Sequence, residues 1–384
     1  MKEAEGLRQR RPQQPQVVSD ESRDAETKHV SAYSGKVFRI TLTTLIVTLL
    51  APFLVATLLL QSPINPEPFS YKEPLLLTGP LEPNLKLRQA ERLFEGKLIG
   101  PESIAHLGGT REDEPTCGRP LGIRVGRNGT LFVADAYYGL FEVNPVTGEV
   151  EMLVSAQKII QGRRMAFVND LSITQDGRKI YFTDSSSKWQ RRDNQYLVME
   201  GTADGRLMEY DMITKQVEVL MDDLRFANGV QLSPAEDYVL VSETTMARIR
   251  RYHISGLRKG GHDIFFDNLP GLPDNIRPSS SGGYWVGMAV LRPNPGFSMM
   301  DFLAPRPWLK NLIFKLFSKE MTMKFVPKYG LVLELNEDGS IRRSFHDPHG
   351  VVVPAVSEAA EHDGYLYLGS IYSSFLCRLN LNKV

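Results

Sequence analysis

The sequence has 384 residues, 42% of them hydrophobic, which is enough material for one large buried core. Lysine plus arginine and aspartate plus glutamate number 45 each, so the balanced charge argues against a nucleic-acid partner, which would require a basic surface. Two cysteines, Cys117 and Cys377, are too few for a disulfide-stapled scaffold and wrongly spaced for a zinc site, although one disulfide between them remains open.

The N-terminal part of the chain predicts a membrane anchor. Residues 40–60 carry no charge, and a helix needs about 20 apolar residues to cross the hydrocarbon core of a bilayer. A buried helix of a soluble protein is the alternative, but such helices are seldom this long and this apolar. Residues 1–39 are polar, charged and rich in glutamine, so they predict a disordered tail.

The charges that flank the anchor predict its orientation. Basic residues cluster before residue 40, whereas the first segment after the anchor contains only Lys72, so the N-terminus is expected in the cytosol. This is type II topology, with the C-terminal domain lumenal or extracellular, at the plasma membrane or the endoplasmic reticulum. A cleaved signal peptide is the alternative, but the leader is long and no small-residue cleavage site follows Leu60.

One glycosylation signal lies on the expected lumenal side. Asn128 begins an Asn-Gly-Thr sequon between two apolar runs, and Asn-Gly in that setting predicts a β-hairpin turn. We therefore expect Asn128 to be exposed and glycosylated.

After a proline-rich connector at residues 61–95, residues 96–384 repeat one pattern. Each unit has a polar loop, an apolar strand, a turn and a second strand, and five units begin near Pro120, Val168, Ala227, Pro273 and Ser357. Repeats of this size and composition predict an all-β fold, a β-propeller. A β-sandwich is the alternative, but it does not require the same phrase to recur.

Oxygen-bearing side chains occupy the loop at the start of three units, as Asn169, Asn228 and the pair Asp274 and Asn275, with Glu102 in an earlier short unit. Equivalent loops of a propeller converge on its central channel. Carboxylate and amide oxygens without sulfur predict calcium, and magnesium fits less well because it requires tighter octahedral geometry. Such residues also occur as ordinary turn formers, but their recurrence at one position favours the metal.

Several phrases resemble the strictosidine synthase-like family, among them GPESIAH, CGRPLGIR, FVNDLSITQDGRKIYFTDSSSKW, FANGVQLSPAEDYVLVSET and EHDGYLYLGS. The resemblance implies a six-bladed propeller related to paraoxonases and gluconolactonases, with calcium in the central channel. Glu102, Asn169, Asn228 and Asp274 match ligand positions of that family, and Asn275 matches a further ligand of its paraoxonase-like relatives.

Two departures from the family pattern affect these expectations. The segment from Gly108 to Pro115 follows PESIAH directly, so most strands of the first blade are expected to be missing. Ser357 stands where strictosidine-forming enzymes have a catalytic glutamate, and Glu358 beside it would point to the opposite side of a strand. Amine–aldehyde condensation is therefore not expected.

Calcium-dependent hydrolysis of small apolar esters, of the arylesterase type, is the reaction that the resemblance favours. His106, His362 and Asp274 are the residues considered for activating water or attacking the ester. A structural histidine is the commoner role for either imidazole. A non-enzymatic adaptor or receptor with a structural calcium ion is the alternative function.

A segment outside the repeats predicts an amphipathic helix. Apolar residues recur at helical spacing from Trp308 to Phe317, with Lys310, Lys315 and Lys319 at other positions. Residues 308–319 could lie on a membrane, cover a hydrophobic pocket or pack on the domain itself.

Overall fold

The computed structural model describes residues 21–98 and 111–384, with side chains from residue 35 onward except Ala56. The chain divides into two units, Met1–Gln61 and Ser62–Val384. Within the first unit, helix α1 (Glu21–Leu59) includes a stretch from Gly35 that is long and apolar enough to cross a membrane. It is a candidate anchor.

Helix α1 begins well before the predicted span, so residues 21–39 are helical where a disordered tail was expected. This stretch contains no proline and several good helix formers, so nothing in it interrupts a helix that the apolar segment already stabilises. Threonines within the apolar segment bond back to the preceding turn. Thr41 Oγ1 donates to the carbonyl of Val37 at 2.9 Å, and Thr48 Oγ1 donates to that of Thr44 at 2.6 Å.

The described residues of the second unit form twenty strands and five short α-helices. Strand β1 (Glu91–Leu93) follows the connector, and helix α2 (Glu114–Cys117) comes before the next strand. The first complete sheet in chain order contains β2 (Pro120–Val125), β3 (Leu131–Asp135), β4 (Gly139–Val143) and β5 (Val150–Ser155). The second sheet contains β6 (Val168–Ile173), β7 (Lys179–Asp184), β8 (Gly205–Asp211) and β9 (Val217–Leu224), with helix α3 (Asn194–Glu200) between β7 and β8.

The third sheet contains β10 (Ala227–Leu232), β11 (Tyr238–Glu243), β12 (Arg248–His253) and β13 (His262–Phe266). The fourth contains β14 (Gly271–Pro278), β15 (Tyr284–Leu291), β16 (Gly330–Leu335) and β17 (Ile341–Asp347). Helices α4 (Met299–Leu303), α5 (Pro307–Leu316) and α6 (Lys319–Met323) lie between β15 and β16. The last sheet contains β18 (Glu358–His362), β19 (Tyr365–Gly369) and β20 (Leu376–Asn380).

Every sheet has four antiparallel strands in radial order, and β1 is the outermost strand of the last sheet, beside β20. The inner strands pack side by side in the order β2, β6, β10, β14, β18. This arrangement is a β-propeller, as predicted, and the described residues form five of its blades. We name each blade by its inner strand. Four of the five predicted starts agree with the observed inner strands to within one residue, and β14 begins two residues before Pro273.

Among the described residues, the ring of blades is open at one place. In the described part of the chain no comparable packing joins β18 to β2, and no strand occurs in residues 94–98 or 111–119. Strand β1 completes the β18 blade at its outer edge, so it leaves no strand for a blade of its own. The structure therefore shows five blades, and the predicted sixth is not among the described residues.

One face of the propeller, here called the upper face, is where the inner strands begin. The starts of β6 and β10 pair with the ends of β7 and β11, as Val168 with Asp184 and Ala227 with Glu243. Loops that follow the second strand of a blade therefore lie on this face. Helix α3 follows β7 and helices α4–α6 follow β15, so all four helices cover the upper face.

The opposite face carries the first hairpin turn of each blade. Val125 pairs with Leu131 across the turn that holds Asn128, which confirms the predicted Asn-Gly hairpin. Asn128 is exposed, and Gly129 adopts a left-handed φ of 75°, which glycine tolerates without strain. Both cysteines are free thiols, with Cys117 exposed and Cys377 buried. Burial raises the pKa of Cys377 to about 12, so this thiol is inert at neutral pH.

Candidate metal centre at the mouth of the channel

The three predicted asparagine and aspartate positions lie in equivalent places on neighbouring blades. Asn169, Asn228 and Asp274 each stand at or near the start of an inner strand, and each is almost fully buried. The pairing register shifts at this point in the β6, β10 and β14 blades. Such bulges redirect side chains away from the regular alternation of a strand. The same local distortion therefore redirects the side chain at the equivalent position of three neighbouring blades.

The neighbouring inner strands approach closely because a glycine follows Asn228. A Cβ atom at Gly229 would lie only 2.6 Å from the Asn275 Cα atom and 2.6 Å from the Asp274 carbonyl oxygen. No side chain larger than hydrogen fits there. The glycine thus lets the backbone that carries Asn228 contact the backbone that carries Asp274 and Asn275.

A repeated hydrogen-bond relay orients two of the asparagines. Asn169 Nδ2 donates to Ser185 Oγ at 3.0 Å, and this hydroxyl donates to the Ala227 carbonyl at 2.7 Å. One blade further on, Asn228 Nδ2 donates to Thr244 Oγ1 at 3.1 Å, and Thr244 Oγ1 donates to the Pro273 carbonyl at 2.7 Å. Each hydroxyl links one predicted ligand to the residue just before the next.

The relay leaves amide oxygens available for a ligand. Among the described residues, Asn228 Oδ1 and Asn275 Oδ1 are buried and accept no hydrogen bond. Asn275 Nδ2 donates to Glu358 Oε2 at 3.2 Å, and Glu358 Oε1 is likewise buried without a donor. A buried polar atom without a partner costs roughly 1–3 kcal/mol, so native proteins seldom leave several together. Hard oxygens in this condition fit a calcium ion.

An ion network lies beside these oxygens and was missed by the sequence analysis. Arg277 Nη1 donates to Asp170 Oδ2 at 2.8 Å, and its Nη2 donates to Glu358 Oε2. Arg124 Nη2 lies 3.3 Å from Asp170 Oδ1. Burial alone would raise the pKa of Asp170, but the two guanidinium groups hold it below its usual range. Burial raises the pKa of Glu358 in spite of Arg277.

Glu358 is the residue that the sequence analysis placed on the wrong side. Side chains alternate along a strand, so Glu358 was expected to point away from the site if Ser357 points toward the site. In the structure, the Glu358 side chain instead contacts Asn275 and Arg277. The Ser357 carbonyl accepts a hydrogen bond from the backbone amide of Asn275 at 3.0 Å. Ser357 precedes β18 and is not yet part of the regular strand, so the alternation rule does not apply there.

The remaining predicted site residues do not join this cluster. Glu102 and His106 lie outside the described residues. His362 ends β18 at the opposite face from Glu358, where its exposed imidazole lies 3.3 Å from the Asp363 carboxylate. In the described chain no group of three or more histidine, cysteine, aspartate or glutamate residues could hold a metal ion.

The connector crosses the upper face beside the site. Tyr71 Oη donates to the Thr245 carbonyl at 2.6 Å, next to the Thr244 hydroxyl that orients Asn228. Phe69 packs under Lys310 of α5, whose Nζ lies 4.1 Å from the ring centre. Lys310 is buried rather than solvent-facing, and burial next to Arg225 lowers its pKa to about 8. The lysine predicted on the polar side of α5 thus faces the domain together with Phe314.

The chain resembles known protein sequences along its whole length. The strictosidine synthase family matches residues 169–257, and the N-terminal region of strictosidine synthase-like proteins matches residues 79–108. Adipocyte plasma membrane-associated protein of Homo sapiens is 63% identical over 416 residues, covering 100% of both chains. The chain belongs to the strictosidine synthase-like family. A plant member, strictosidine synthase-like 10 of Arabidopsis thaliana, is 35% identical over 74% of this chain and 77% of its own length.

The human relative of this family carries residues that this chain lacks. The alignment of 416 positions is 32 longer than the 384 residues present here. Solved structures resemble the chain more weakly. A calcium-binding regucalcin from Agrobacterium tumefaciens is 14% identical with a TM-score of 0.45, covering 68% of this chain and 76% of its own. A likeness at that level says nothing about function.

Proposed function

We propose that this family member is a membrane-anchored, calcium-dependent hydrolase of small apolar esters, of the arylesterase type. The buried, unpartnered oxygens of Asn228 and Asn275 carry the proposal, because a divalent cation would satisfy both. The name of the human relative, which associates that protein with the adipocyte plasma membrane, supports the anchor.

Asn169, Asn228, Asp274 and Asn275 would hold the ion in this proposal, with Glu102 as a further predicted ligand. A bound calcium ion supplies Lewis acidity that polarises an ester carbonyl. Glu358 Oε1, which has no donor and whose carboxyl pKa is raised, is the described atom best suited to accept a proton from water. Asp274 remains the second choice for that role, since it is also buried at the mouth.

Hydrolysis of an aryl acetate by the full-length chain in nanodiscs tests the proposal. We expect turnover that needs calcium and falls at least tenfold in Asn228→Ala, because one ligand oxygen is lost. Asn228→Asp keeps an oxygen and should retain part of the activity, and exposed Asn382→Ala is the matched control. Calcium-independent turnover, or full activity in Asn228→Ala, would contradict the proposal.

A structural calcium ion in a non-enzymatic adaptor is the second candidate function. Arg277 favours it, since this side chain already pairs with Asp170 and with Glu358, the carboxylate to which Asn275 donates. Chelation lowers stability under both proposals. Only the hydrolase loses turnover in chelator at a temperature where the chain is still folded.

Type II topology is the orientation that we propose for the anchor, with the propeller lumenal or extracellular, at the plasma membrane or the endoplasmic reticulum. The basic residues before the span and the exposed sequon at Asn128 support it. A glycosidase-sensitive gel shift that disappears in Asn128→Gln is the expected result, and absence of any glycan on the protein from secretory membranes would count against this orientation.

We also propose that residues 308–319 touch the membrane. The side chain of Trp308 is 65% exposed, and Phe317 is exposed on the same face of the propeller. Trp308 is suited to the interface between lipid and water.

We propose that a sixth blade is missing from the gap between β18 and β2. Residues 94–119 between β1 and β2 number 26, and the 32 residues present only in the human relative would bring this segment to 58. The inner strands of the β6 and β10 blades begin 59 residues apart, at positions 168 and 227. Locating the 32 residues by pairwise alignment tests this, since a position outside 94–119 would refute it.

A further inference from the structure

A cleft of about 530 Å³ opens on the upper face beside the β18 blade. Its walls come from the segment after α6, the loop before β18, the loop before β20, and β1. The walls are largely apolar, with Val326, Val351 and Phe375 among them. Small-molecule pockets in proteins measure roughly 300–1,000 Å³, so the cleft can hold a ligand of that class.

One wall of the cleft is continuous with the backbone of the candidate metal centre. Ala289 and Ala355 line that wall. Their chain neighbours Met288 and Val356 are joined by a hydrogen bond of 3.4 Å from the Val356 amide to the Met288 carbonyl. The next residue, Ser357, accepts the hydrogen bond from Asn275 described above. A ligand lying in the cleft would therefore end near Ser357.

The cleft has positive charge at its rim and no acidic lining residue. Lys324 and Lys328 line it and are exposed, and their ammonium groups have no hydrogen-bond acceptor among the described residues. Arg92 is already engaged, since its Nη2 donates to the Val351 carbonyl at 2.6 Å and Nη1 pairs with Glu95 at 3.0 Å. Its guanidinium stacks on Phe375 at 4.2 Å and so forms part of the wall. The two lysines are left to bind an anion.

We propose that this cleft binds a single-chain amphiphile with a carboxylate head group. The hydrocarbon chain lies against the apolar walls and points toward Ala289 and Ala355, while the carboxylate pairs with Lys324 and Lys328 at the rim. Apolar burial supplies most of the affinity, about 25 cal/mol per Å², and the two cations select the anionic head. Binding does not depend on hydrolysis in the channel.

Photo-crosslinking in nanodiscs of neutral phosphatidylcholine tests this binding. The probes are a hexadecanoate with a diazirine in its chain and the corresponding hexadecanol, which has the same tail without charge. With the full-length chain, we expect the carboxylate probe to label peptides from residues 323–328 and 350–355, at least fivefold more than the alcohol does.

Charge reversal provides the matched comparison. Lys324→Glu with Lys328→Glu should reduce carboxylate labelling of these peptides at least fivefold and leave alcohol labelling unchanged, which also shows that the variant is folded. Lys158→Glu with Lys259→Glu changes the net charge equally at exposed sites outside the cleft and should label as the wild type does. Labelling confined to residues 40–60, equal labelling by both probes, or no effect of reversal at the cleft would overturn the proposal.

Discussion

At the scale of single residues, the hydroxyls of Ser185 and Thr244 determine which atom each asparagine presents. Each accepts a hydrogen bond from an asparagine Nδ2 and donates to a backbone carbonyl. Rotation of the amide would break the Nδ2 bond and turn its oxygen toward a hydroxyl whose hydrogen is already donated. Groups that orient metal ligands in this way affect affinity almost as strongly as the ligands themselves. The asparagine oxygens are therefore preorganised.

Thr244→Val should weaken calcium binding by roughly 10- to 100-fold, because valine keeps the shape of threonine but cannot hold Asn228 Nδ2. Isothermal titration of calcium into the full-length chain in detergent measures this. Thr147→Val, in the exposed turn after β4, is the control and should bind as the wild type does. Unchanged affinity in Thr244→Val would show that the hydroxyl does not orient a ligand.

At the scale of structural elements, Arg277 of β14 joins three inner strands. Its guanidinium contacts Asp170 of β6 and Glu358 of β18. Arg277 and Asp170 are buried, and the Glu358 side chain is 15% exposed. Removing one member of a buried ion pair leaves an uncompensated charge, which costs more than the pair contributes. The network thus helps to hold the blades in position around the channel.

Arg277→Leu should lower the free energy of unfolding by about 3–5 kcal/mol at pH 7. The difference in free energy of unfolding between the variant and the wild type should be smaller at pH 5 than at pH 7. Without the guanidinium, burial raises the pKa of Asp170 and Glu358, so the folded variant takes up protons and is stabilised as the pH falls. In the wild type, Asp170 has a lowered pKa in the folded chain. Its contribution to stability therefore persists while the pH stays above the pKa of this residue in the unfolded chain, and is lost only at lower pH.

Chemical denaturation of the full-length chain at both pH values measures these differences. Arg342→Leu serves as the control, because Arg342 is about half exposed and lies 4.0 Å from Glu334, a distance at which a surface pair contributes at most about 1 kcal/mol. A deficit that is the same at pH 5 and pH 7 would argue against the two carboxylates as its cause.

Helix α5 gives a second test among the elements. Brominated lipids in nanodiscs should quench fluorescence from Trp308, because its exposed ring is expected in the interface. Trp308→Phe isolates its signal from Trp189 and Trp285. If brominated lipids quench the wild type and the Trp308→Phe variant equally, the proposed second membrane contact is wrong.

Much of this architecture could be predicted from the sequence because propeller blades repeat. The recurring strand and turn pattern placed β6 and β10 correctly, and asparagines at their starts marked the channel mouth. Arg277, Asp170 and Glu358 gave no such signal, since their contacts join residues 81 to 107 positions apart and belong to no repeated phrase. The bulges that redirect Asn169 and Asn228 are likewise invisible to a rule of strict alternation.

At the scale of the whole molecule, the propeller is open between β18 and β2 in the described chain, yet its outer closure is intact. Strand β1 pairs with β20 through Glu91, Arg92 and Leu93, so the N-terminal and C-terminal ends of the domain are held together. The candidate calcium position lies among the β6, β10 and β14 blades, on the side of the ring away from the opening. Metal binding is therefore expected not to depend on a further blade between β18 and β2.

Thermal unfolding of the full-length chain with calcium and with chelator tests this account most directly. A ligand at 100 times its dissociation constant adds about 2.7 kcal/mol to folding, so calcium should raise the Tm of the wild type by a few degrees. Asn228→Ala should show little or no shift, while Asn382→Ala should respond as the wild type does. A wild-type Tm that is the same in millimolar calcium and in chelator would contradict the calcium site.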